Sequence, residues 1–458
     1  MLIWHEAILF PHPPPPHRVA KNHEIKREEI IEKDGLDIIR RGYIMKKLIC
    51  LIIVICFTII LTECSNDSKR LYLSDAEQLV ETVELTHPSF TLREVTARYM
   101  EAKDSFLLQA KAKMTYKEFV WSIKRYMAAL NDGHSGVEVK RSSMIVDANW
   151  QTEGDKLFLL EGTERKEITA IGGVVVSDIF QVIDEYYPIE NEAAKERNRT
   201  IWSHSKDLLL IANCTIDNNK ITASVQNEGK TSEVILHIIS ADIYDFYHKD
   251  YEIKSKLIDN VFYIDYKSCT LGSQLSKTVE NLEQALSDGI ASVIIDVRDN
   301  PGGNSEANKV LLEAMGMSEP SYGVYLRYSP LLSKQWKIDE TSGDKEYPCD
   351  VLSAKRNEDI NLVILTNANT YSGATMLGVS VQDGGLGTII GQVSSNSPNC
   401  YGDILYYTLP KSKIVITISC KRFLRPDTNA STVSLIPDIV TKYNEDALDV
   451  ALEFLRKN

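Results

Sequence analysis

LVILTNANTYSGATMLGVSVQ, residues 362–382, contains the clearest structural pattern of the chain, with Ser372 near its centre. Apolar β-forming residues come first, and beyond Ser372 the apolar residues recur at helical spacing. The pattern predicts a strand, a turn and a buried helix. A serine at the start of such a helix lies beside free backbone N–H groups at its electropositive end. Serine is also a common N-cap, so this stretch alone favours a structural role for Ser372.

Strands and helices alternate on both sides of this stretch. VFYIDY (261–266) is followed by the helical SQLSKTVENLEQALSDG, then by IIDVRDNPGG (294–303), and GTIIG (387–391) follows the Ser372 helix. Two further strands, DILYYTL and IVITISC, precede a last helix at 445–457. Alternation of this kind predicts a layered α/β core with its working residues at strand ends.

Three helices are predicted near the start of the globular region, at 74–85, 91–110 and 115–130. Ser74 with Glu77, and Thr115 with Glu118, have the spacing of a capping box. The third helix ends at NDGHSG (131–136), a tight turn that holds His134 on a loop. A histidine on such a turn is most often an ordinary polar surface residue.

Between about 140 and 240 the pattern changes to short strands separated by turns. The strands predicted here are KLFLLEG, EITAIGGVVV, DLLLIANCTI (207–216), KITASVQ and EVILHII, with a helix near 190–202. The segment EITAIGGVVVSDIFQVI (167–183) resembles part of a PDZ-like domain, with Gly172 where such domains usually have Asn. The resemblance implies a small peptide-binding or structural module.

Composition excludes several classes of protein. The chain has 458 residues, a net charge of −13 and no long Lys/Arg run, which argues against a nucleic-acid partner. The cysteines beyond residue 64 are too widely spaced for a zinc pattern, and one disulfide is possible among them, without indicating a disulfide scaffold: Cys214, Cys269, Cys349, Cys400 and Cys420. No cofactor and no metal are indicated.

Residues 45–64, MKKLICLIIVICFTIILTEC, have the layout of an export signal. Their apolar run is shorter than the roughly 20 residues of a membrane-spanning helix. The ending LTEC resembles the lipobox of bacterial lipoproteins and makes Cys64 a candidate for lipidation; an uncleaved anchor is the alternative. We expect an exported protein, secreted or anchored in the cell envelope. Residues 1–44 are interpreted as a non-native upstream extension, with Met45 as the true start.

Three features taken together suggest acyl transfer. The strand at 294–303 ends in a Pro-Gly-Gly turn whose N–H groups could bind an oxyanion, although such a turn is more often only structural. Ser372 could supply a nucleophile, and His134 could supply a base. The sequence does not show that these parts converge.

The residues around these features resemble the tail-specific, or C-terminal-processing, serine peptidases, whose relatives include the tricorn core and the interphotoreceptor retinoid-binding proteins. The matching motifs are LNDGHSG, IIDVRDNPGGN, NANTYSGATM and IPDIV (436–440), in the family's order. The resemblance implies a crotonase/ClpP-like spiral core with a PDZ-like domain, and peptide hydrolysis through Ser372. It also implies an oxyanion hole formed by the N–H groups of Gly302 or Gly303 and of Gly373, with Asp296 and Arg298 as scaffold.

The branches of this family differ in the residue that serves as general base. One branch uses a nearby lysine, but the next lysine after Ser372 is Lys411, so the branch with a histidine from the Asp-Gly-His loop is expected, with His134 as base. Where the family has its orienting Glu, this chain has Ala430 and Ser431, and Asp427 is the nearest carboxylate. Thr375 also stands three positions after Ser372, where the family commonly has an acidic residue. A Ser–His pair without its acid would be less active.

The resulting domain prediction is helical at 70–139, PDZ-like at 140–245 and peptidase at 246–458. The expected function is an exported serine endopeptidase acting on peptides or unfolded protein tails. The alternative is a degenerate, non-catalytic protein of the same fold that binds peptide or apolar ligands. A thioester-acting acyltransferase or hydratase ranks last, because no phosphate-binding pocket is recognisable. The oligomeric state is left open.

Overall fold

The computed structural model describes residues 69–138, 142–242, 251–442 and 445–457. They belong to one compact unit, Asp67–Asn458. The upstream extension, the export signal and Cys64 lie outside the described residues. Within the described residues, none of the helices combines the length and apolar character that crossing a membrane requires.

Helices and strands alternate through most of the chain. The helices are α1 Leu73–Thr86, α2 Ser89–Leu92, α3 Ala97–Ala110, α4 Tyr116–Ala128, α5 Val176–Tyr186, α6 Glu192–Trp202, α7 Lys206–Ile211, α8 Ser273–Ser287, α9 Glu306–Ala314, α10 Pro330–Trp336, α11 Gly373–Asp383 and α12 Ala447–Lys457, with a 3₁₀ turn at Val351–Ser353. The strands are β1 Gly136–Val137, β2 Ser142–Asp147, β3 Trp150–Glu153, β4 Lys156–Glu161, β5 Glu164–Ile171, β6 Val174–Val175, β7 Lys220–Asn227, β8 Lys230–Asp242, β9 Ile253–Ile258, β10 Val261–Tyr266, β11 Ser292–Asp296, β12 Gly323–Arg327, β13 Asp344–Tyr347, β14 Asn361–Thr366, β15 Thr388–Gly391, β16 Tyr401–Thr408, β17 Val415–Leu424 and β18 Ile439–Val440.

A six-stranded sheet forms the α/β core, in the order β18-β15-β14-β11-β10-β9. Its strands are parallel except β9, which pairs antiparallel with β10. Val293 and Ile295 face the core shared with α8, α9 and α11, whereas Ile294 faces the smaller core beneath α12. Both faces are thus covered by helices, which explains why these strands are apolar on both sides. The predicted α/β class is confirmed.

The N-terminal helices share their core with the sheet that they pack against. Their buried residues, among them Phe119 and Tyr126, share one apolar cluster with Ile416 and Ile418 of β17. That strand is the centre of a five-stranded sheet in which it pairs with β1, β12 and β16. Since β1 directly follows the His134 loop, this packing attaches the loop to the sheet.

The β-rich module forms a seven-stranded antiparallel sheet in the order β2-β8-β7-β5-β4-β3, with β6 paired to β5. The strand prediction for DLLLIANCTI was wrong, because Ser205 caps a helix that begins at Lys206. The helix α5 at Val176–Tyr186 was also missed. Gly172 has φ +57, and a Cβ there would lie 2.8 Å from the Thr215 amide nitrogen, so the position requires glycine.

The two predicted capping boxes have different outcomes. Thr115 and Glu118 form theirs, with both reciprocal hydrogen bonds present. The prediction of a capping box at Ser74 is wrong, because α1 begins one residue earlier and its N-cap, Tyr72, makes no side-chain cap hydrogen bond. The predicted helix at 91–110 is split, and Thr96 caps the part that begins at Ala97.

Candidate active site

Ser372 does not cap its helix. It lies at the N-terminus of α11 with φ 51 and ψ −124, a backbone conformation unfavourable for a residue with a side chain, and its hydroxyl makes no cap hydrogen bond. The backbone N–H of Ser372 donates instead to Asn396 Oδ1 at 2.9 Å. The turn therefore directs the Ser372 side chain out of the helix, as a presented nucleophile requires.

His134 meets Ser372 across the site. The distance from His134 Nε2 to Ser372 Oγ is 2.9 Å, although the two residues are 238 positions apart in the chain. The loop is held by β1, whose residues Gly136 and Val137 pair with β17. The imidazole also lies beside the Tyr371 ring, 5.1 Å between centroids. A hydroxyl that could act as nucleophile and an imidazole that could act as its base are thus within hydrogen-bond reach.

Asp132, two residues before His134, is the carboxylate nearest to the second ring nitrogen. Asp132 Oδ1 lies 3.6 Å from His134 Nδ1, just beyond hydrogen-bond length, and it accepts the His134 backbone N–H at 2.9 Å. Among the described residues His134 Nδ1 has no hydrogen-bond partner. A contraction of a few tenths of an ångström would complete a Ser–His–Asp triad.

Asp132 is fully buried and is held by several donors. Its Oδ2 accepts hydrogen bonds from Ser135 Oγ at 2.5 Å and Ser419 Oγ at 2.7 Å, and lies 3.2 Å from His87 Nε2. Burial acts to raise the pKa of Asp132, but the two neighbouring imidazole rings, His134 and His87, hold it well below its usual range. Asp132 is therefore an anion at neutral pH.

The pKa of His134 responds to this anion. Burial acts to lower it, but the Asp132 carboxylate outweighs burial, with smaller contributions from Glu190 and Asp403, and the pKa of His134 is raised above its ordinary value. An imidazole with a raised pKa is a stronger base.

The glycine turn supplies donors next to Ser372. The Gly302 N–H is already used, donating to Asn300 Oδ1 at 2.8 Å. The N–H groups of Gly303 and Gly373 donate to no acceptor in the part of the chain that the structure describes. They are close together, since a Cβ on Gly373 would lie 3.5 Å from the Gly303 nitrogen. Of the three glycines named from the sequence, Gly303 and Gly373 offer the free pair.

Gly302 has a different part in the site. A Cβ at this position would lie 2.6 Å from the Ser372 Cβ and 2.7 Å from the Tyr371 carbonyl oxygen, so only glycine permits this approach. The two residues expected to be scaffold, Asp296 and Arg298, are paired with each other at the end of β11. Arg298 hydrogen-bonds to Asp296 and to Asp446, and Tyr263 donates to Asp296 at 2.8 Å.

The structure does not bring Asp427 to His134. Its Oδ1 accepts the backbone N–H of Asn429 at 2.9 Å, and its own N–H donates to Asp383 Oδ2. Its role is thus to form a local turn. Asp132 and Glu190, which the sequence did not reveal as site residues, have carboxylate oxygens within 4.8 Å of a His134 ring nitrogen. For Asp132 a signal existed, because it precedes His134 by two residues on the same turn.

Asp132, His134 and Glu190 also offer ligand atoms within 4.8 Å of one another, a spacing that a metal ion could span. Both carboxylates are occupied by protein donors, however: Glu190 accepts from Tyr371 Oη at 2.6 Å and from Asn396 Nδ2 at 2.7 Å. Metal binding would require these hydrogen bonds to be broken. The arrangement fits proton transfer to and from His134 better than metal ligation.

Residues 260–441 match the model of Peptidase family S41. No curated protein matches the sequence. Among solved structures, the chain is similar to mature CPAF complexed with lactacystin, with a TM-score of 0.60 and 13% identity over 84% of this chain and 97% of that chain. The photosystem II D1 C-terminal processing protease gives a TM-score of 0.42 and 11% identity over 81% and 92% of the two chains. Residues 260–441 are therefore similar to Peptidase family S41, and the chain shares the fold of CPAF.

Proposed function

We propose that the protein is a serine endopeptidase of the histidine-using type. Ser372 is the nucleophile, His134 the general base, and Asp132 orients the imidazole in place of the family's Glu. The N–H groups of Gly303 and Gly373 form the oxyanion hole. The observation that carries this proposal is the 2.9 Å hydrogen bond between His134 Nε2 and Ser372 Oγ.

The reaction uses these groups in two stages. His134 Nε2 takes the Ser372 proton as Oγ attacks the scissile carbonyl, and the oxygen of the tetrahedral intermediate is bound by the two free N–H groups. His134 then protonates the leaving amine, which departs and leaves an acyl group on Ser372. In the second stage His134 takes a proton from water, the water oxygen attacks the acyl carbonyl, and Ser372 is released with its proton returned.

Asp132 supports both stages through His134. When Nε2 accepts the serine proton, Nδ1 must carry the other proton and point at a carboxylate that stabilises the imidazolium. Asp132 is the carboxylate 3.6 Å from this nitrogen, and its buried donors keep it ionised. We therefore infer that the lack of an acid at Ala430 and Ser431 does not leave His134 without an orienting group.

The proposal extends to substrate and location. The substrates are peptides or unfolded protein tails, and the residues at 45–64 direct the protein out of the cytoplasm, where a signal peptide or lipidation at Cys64 places it in the cell envelope or outside. The β-rich module at 140–245 is proposed as the PDZ-like domain. The competing function is a non-catalytic protein that uses the same cleft for binding.

A fluorophosphonate probe tests the catalytic pair. We expect Ser372 to be labelled in the wild type, and labelling to be lost in Ser372→Ala and reduced by orders of magnitude in His134→Ala. Ser232→Ala and His237→Ala, two exposed positions on β8, are matched controls that should label normally. Absence of labelling in the wild type across pH 5–9 would favour the binding protein instead. Cleavage of an unfolded protein, followed by mass spectrometry, would then define the substrate class.

A further inference from the structure

Glu190 is a second carboxylate at the site, and it comes from the β-rich module rather than from residues 260–441. It lies between α5 and α6. Its two oxygens accept four hydrogen bonds: Oε1 from Tyr371 Oη at 2.6 Å and from the Gly133 N–H at 3.0 Å, Oε2 from Asn396 Nδ2 at 2.7 Å and from the Ser397 N–H at 2.9 Å. An ionised carboxylate is the side chain that can accept all four.

These donors belong to the segments that carry the catalytic pair. Gly133 immediately precedes His134, and Tyr371 immediately precedes Ser372. Asn396 connects Glu190 to Ser372 directly, because its Oδ1 accepts the Ser372 backbone N–H at 2.9 Å while its Nδ2 donates to Glu190. A single side chain therefore joins the base loop, the nucleophile turn and the residue that fixes the nucleophile's backbone.

Neighbours of Glu190 reinforce this connection. The Ile189 N–H donates to Asn131 Oδ1 at 2.8 Å, and Arg197 Nε donates to Asn369 Oδ1 at 2.8 Å. Asn191 Nδ2 donates to the carbonyl oxygen of Ser394 at 3.0 Å. Residues 189–197 thus contact the same loops at several points, and Glu190 provides the central, charged contact.

We propose that Glu190 is a positioning residue for acyl transfer, fixing the His134 loop and the Ser372 turn at the separation that the reaction needs. The inference rests on the proposed peptidase function. A misplacement of about 1 Å can slow an enzyme by about 100-fold, so a residue that sets this separation has a large effect on kcat. We expect KM to change less, because the four hydrogen bonds of Glu190 go to protein groups that carry the catalytic pair.

Glu190 also acts on the charge of His134. The charged groups facing the imidazole are Asp132 on its own loop, Glu190 from the β-rich module and Asp403 from β16, and all three raise the pKa of His134 against the effect of burial. Tyr371 is the other titratable group in contact, and burial keeps it neutral by raising its pKa. Neutralising Glu190 therefore lowers the pKa of His134.

Glu190→Gln is the main test. Glutamine keeps the shape but turns one acceptor oxygen into a donor, which then faces two N–H donors or a hydroxyl and an N–H. We expect kcat to fall by about 10- to 100-fold with KM changed far less. We also expect the acid limb of the kcat/KM profile, and the titration midpoint of His134 in histidine-labelled NMR spectra, to move to lower pH. The His134 signal is identified by its loss in His134→Gln.

Two further variants separate charge from position. Glu192→Gln removes the same charge from an 86% exposed side chain two residues away, and should leave kcat and the midpoint unchanged. Tyr371→Phe removes the 2.6 Å hydrogen bond but keeps the charge, so kcat should fall while the midpoint does not move to lower pH. If Glu190→Gln is unfolded at the assay temperature, Tyr371→Phe decides, and a kcat within twofold of wild type overturns the proposal.

The outcomes distinguish this inference from the proposed function. Suppose that the wild type is active and that Glu190→Gln is folded, has a kcat within twofold of wild type and keeps the His134 midpoint. This result overturns the role of Glu190 and leaves the proposed peptidase function intact. An inactive, unlabelled wild type overturns the peptidase. In that case the NMR titration of His134 still tests whether the charge of Glu190 raises the pKa of His134. An unchanged midpoint in Glu190→Gln would reject this effect, and a lowered midpoint would support it.

Discussion

Ser372 has an unfavourable backbone conformation that its surroundings maintain. Its φ of 51 is stabilised by the hydrogen bond from its N–H to Asn396 and by contact with Gly302. Strain of this kind persists where the surrounding structure determines it, and it is frequent at active sites. The result is a hydroxyl that faces His134 rather than the end of its own helix.

Gly302→Ala is predicted to disrupt this arrangement. The added Cβ would lie 2.6 Å from the Ser372 Cβ, and φ at this position is +99, so both contact and backbone are unfavourable. We expect loss of fluorophosphonate labelling and a lower melting temperature. Gly173→Ala is the matched control, since its φ is +82 but a Cβ there meets no atom within 4 Å. Equal effects of the two substitutions would show that contact with Ser372 is unimportant.

Asp132→Asn is predicted to lower kcat by roughly 10³- to 10⁴-fold, as loss of the orienting carboxylate does in serine peptidases with a Ser–His–Asp triad. The direction in which this substitution shifts the pH dependence of activity follows from the pKa of His134. Its raised pKa means that wild-type activity is lost as pH falls through a value above about 6.5, the ordinary histidine pKa. Removing the anion lowers this pKa, so the remaining activity should persist to lower pH. An unchanged acid limb in the kcat/KM profile would contradict the assignment.

Among the helices and strands, the sequence pattern correctly predicted those features that depend on residues close together in the chain. The strand, turn and helix at 362–382 and the capping box at Thr115 depend on nearby residues, and both were recovered. DLLLI was misassigned because a short apolar run looks the same in a buried strand and in a buried helix. Ser205, which caps that helix, was the available signal.

Thr115→Ala tests the capping box that leads into the helix before His134. Its hydroxyl accepts the Glu118 N–H at 3.1 Å, and the Glu118 carboxylate accepts the Thr115 N–H at 2.7 Å. We expect the free energy of unfolding to fall by about 1 kcal/mol in urea denaturation followed by circular dichroism. Ser74→Ala is the control, because Ser74 lies inside α1, and a change of less than about 0.5 kcal/mol is expected there. Equal losses would contradict the observed helix start.

At the scale of the whole molecule, the site is assembled from distant parts of the chain. The order of the motifs predicted that His134 and Ser372 belong to one site, but only folding brings them to 2.9 Å. Glu190 could not be found this way, because nothing in its local sequence distinguishes it from the other acidic residues of its segment. Asp132 was not recognised as a site residue for a related reason, since Asp is common in tight turns and its place in the NDGHSG turn explained its presence.

The shared core beneath the His134 loop predicts a single unfolding transition for the N-terminal helices and the five-stranded sheet. Ile418 is fully buried in this core, next to Ser419, which donates to Asp132. Ile418→Ala removes packing from both layers and should cost about 2–5 kcal/mol, with labelling of Ser372 reduced at temperatures where the fold persists. Ile235→Ala, at a 63% exposed position on β8, should change stability by less than about 0.5 kcal/mol. Guanidinium titrations followed by far-ultraviolet circular dichroism and by fluorescence should coincide, because the helices and β17 share one core and loss of either layer exposes the other.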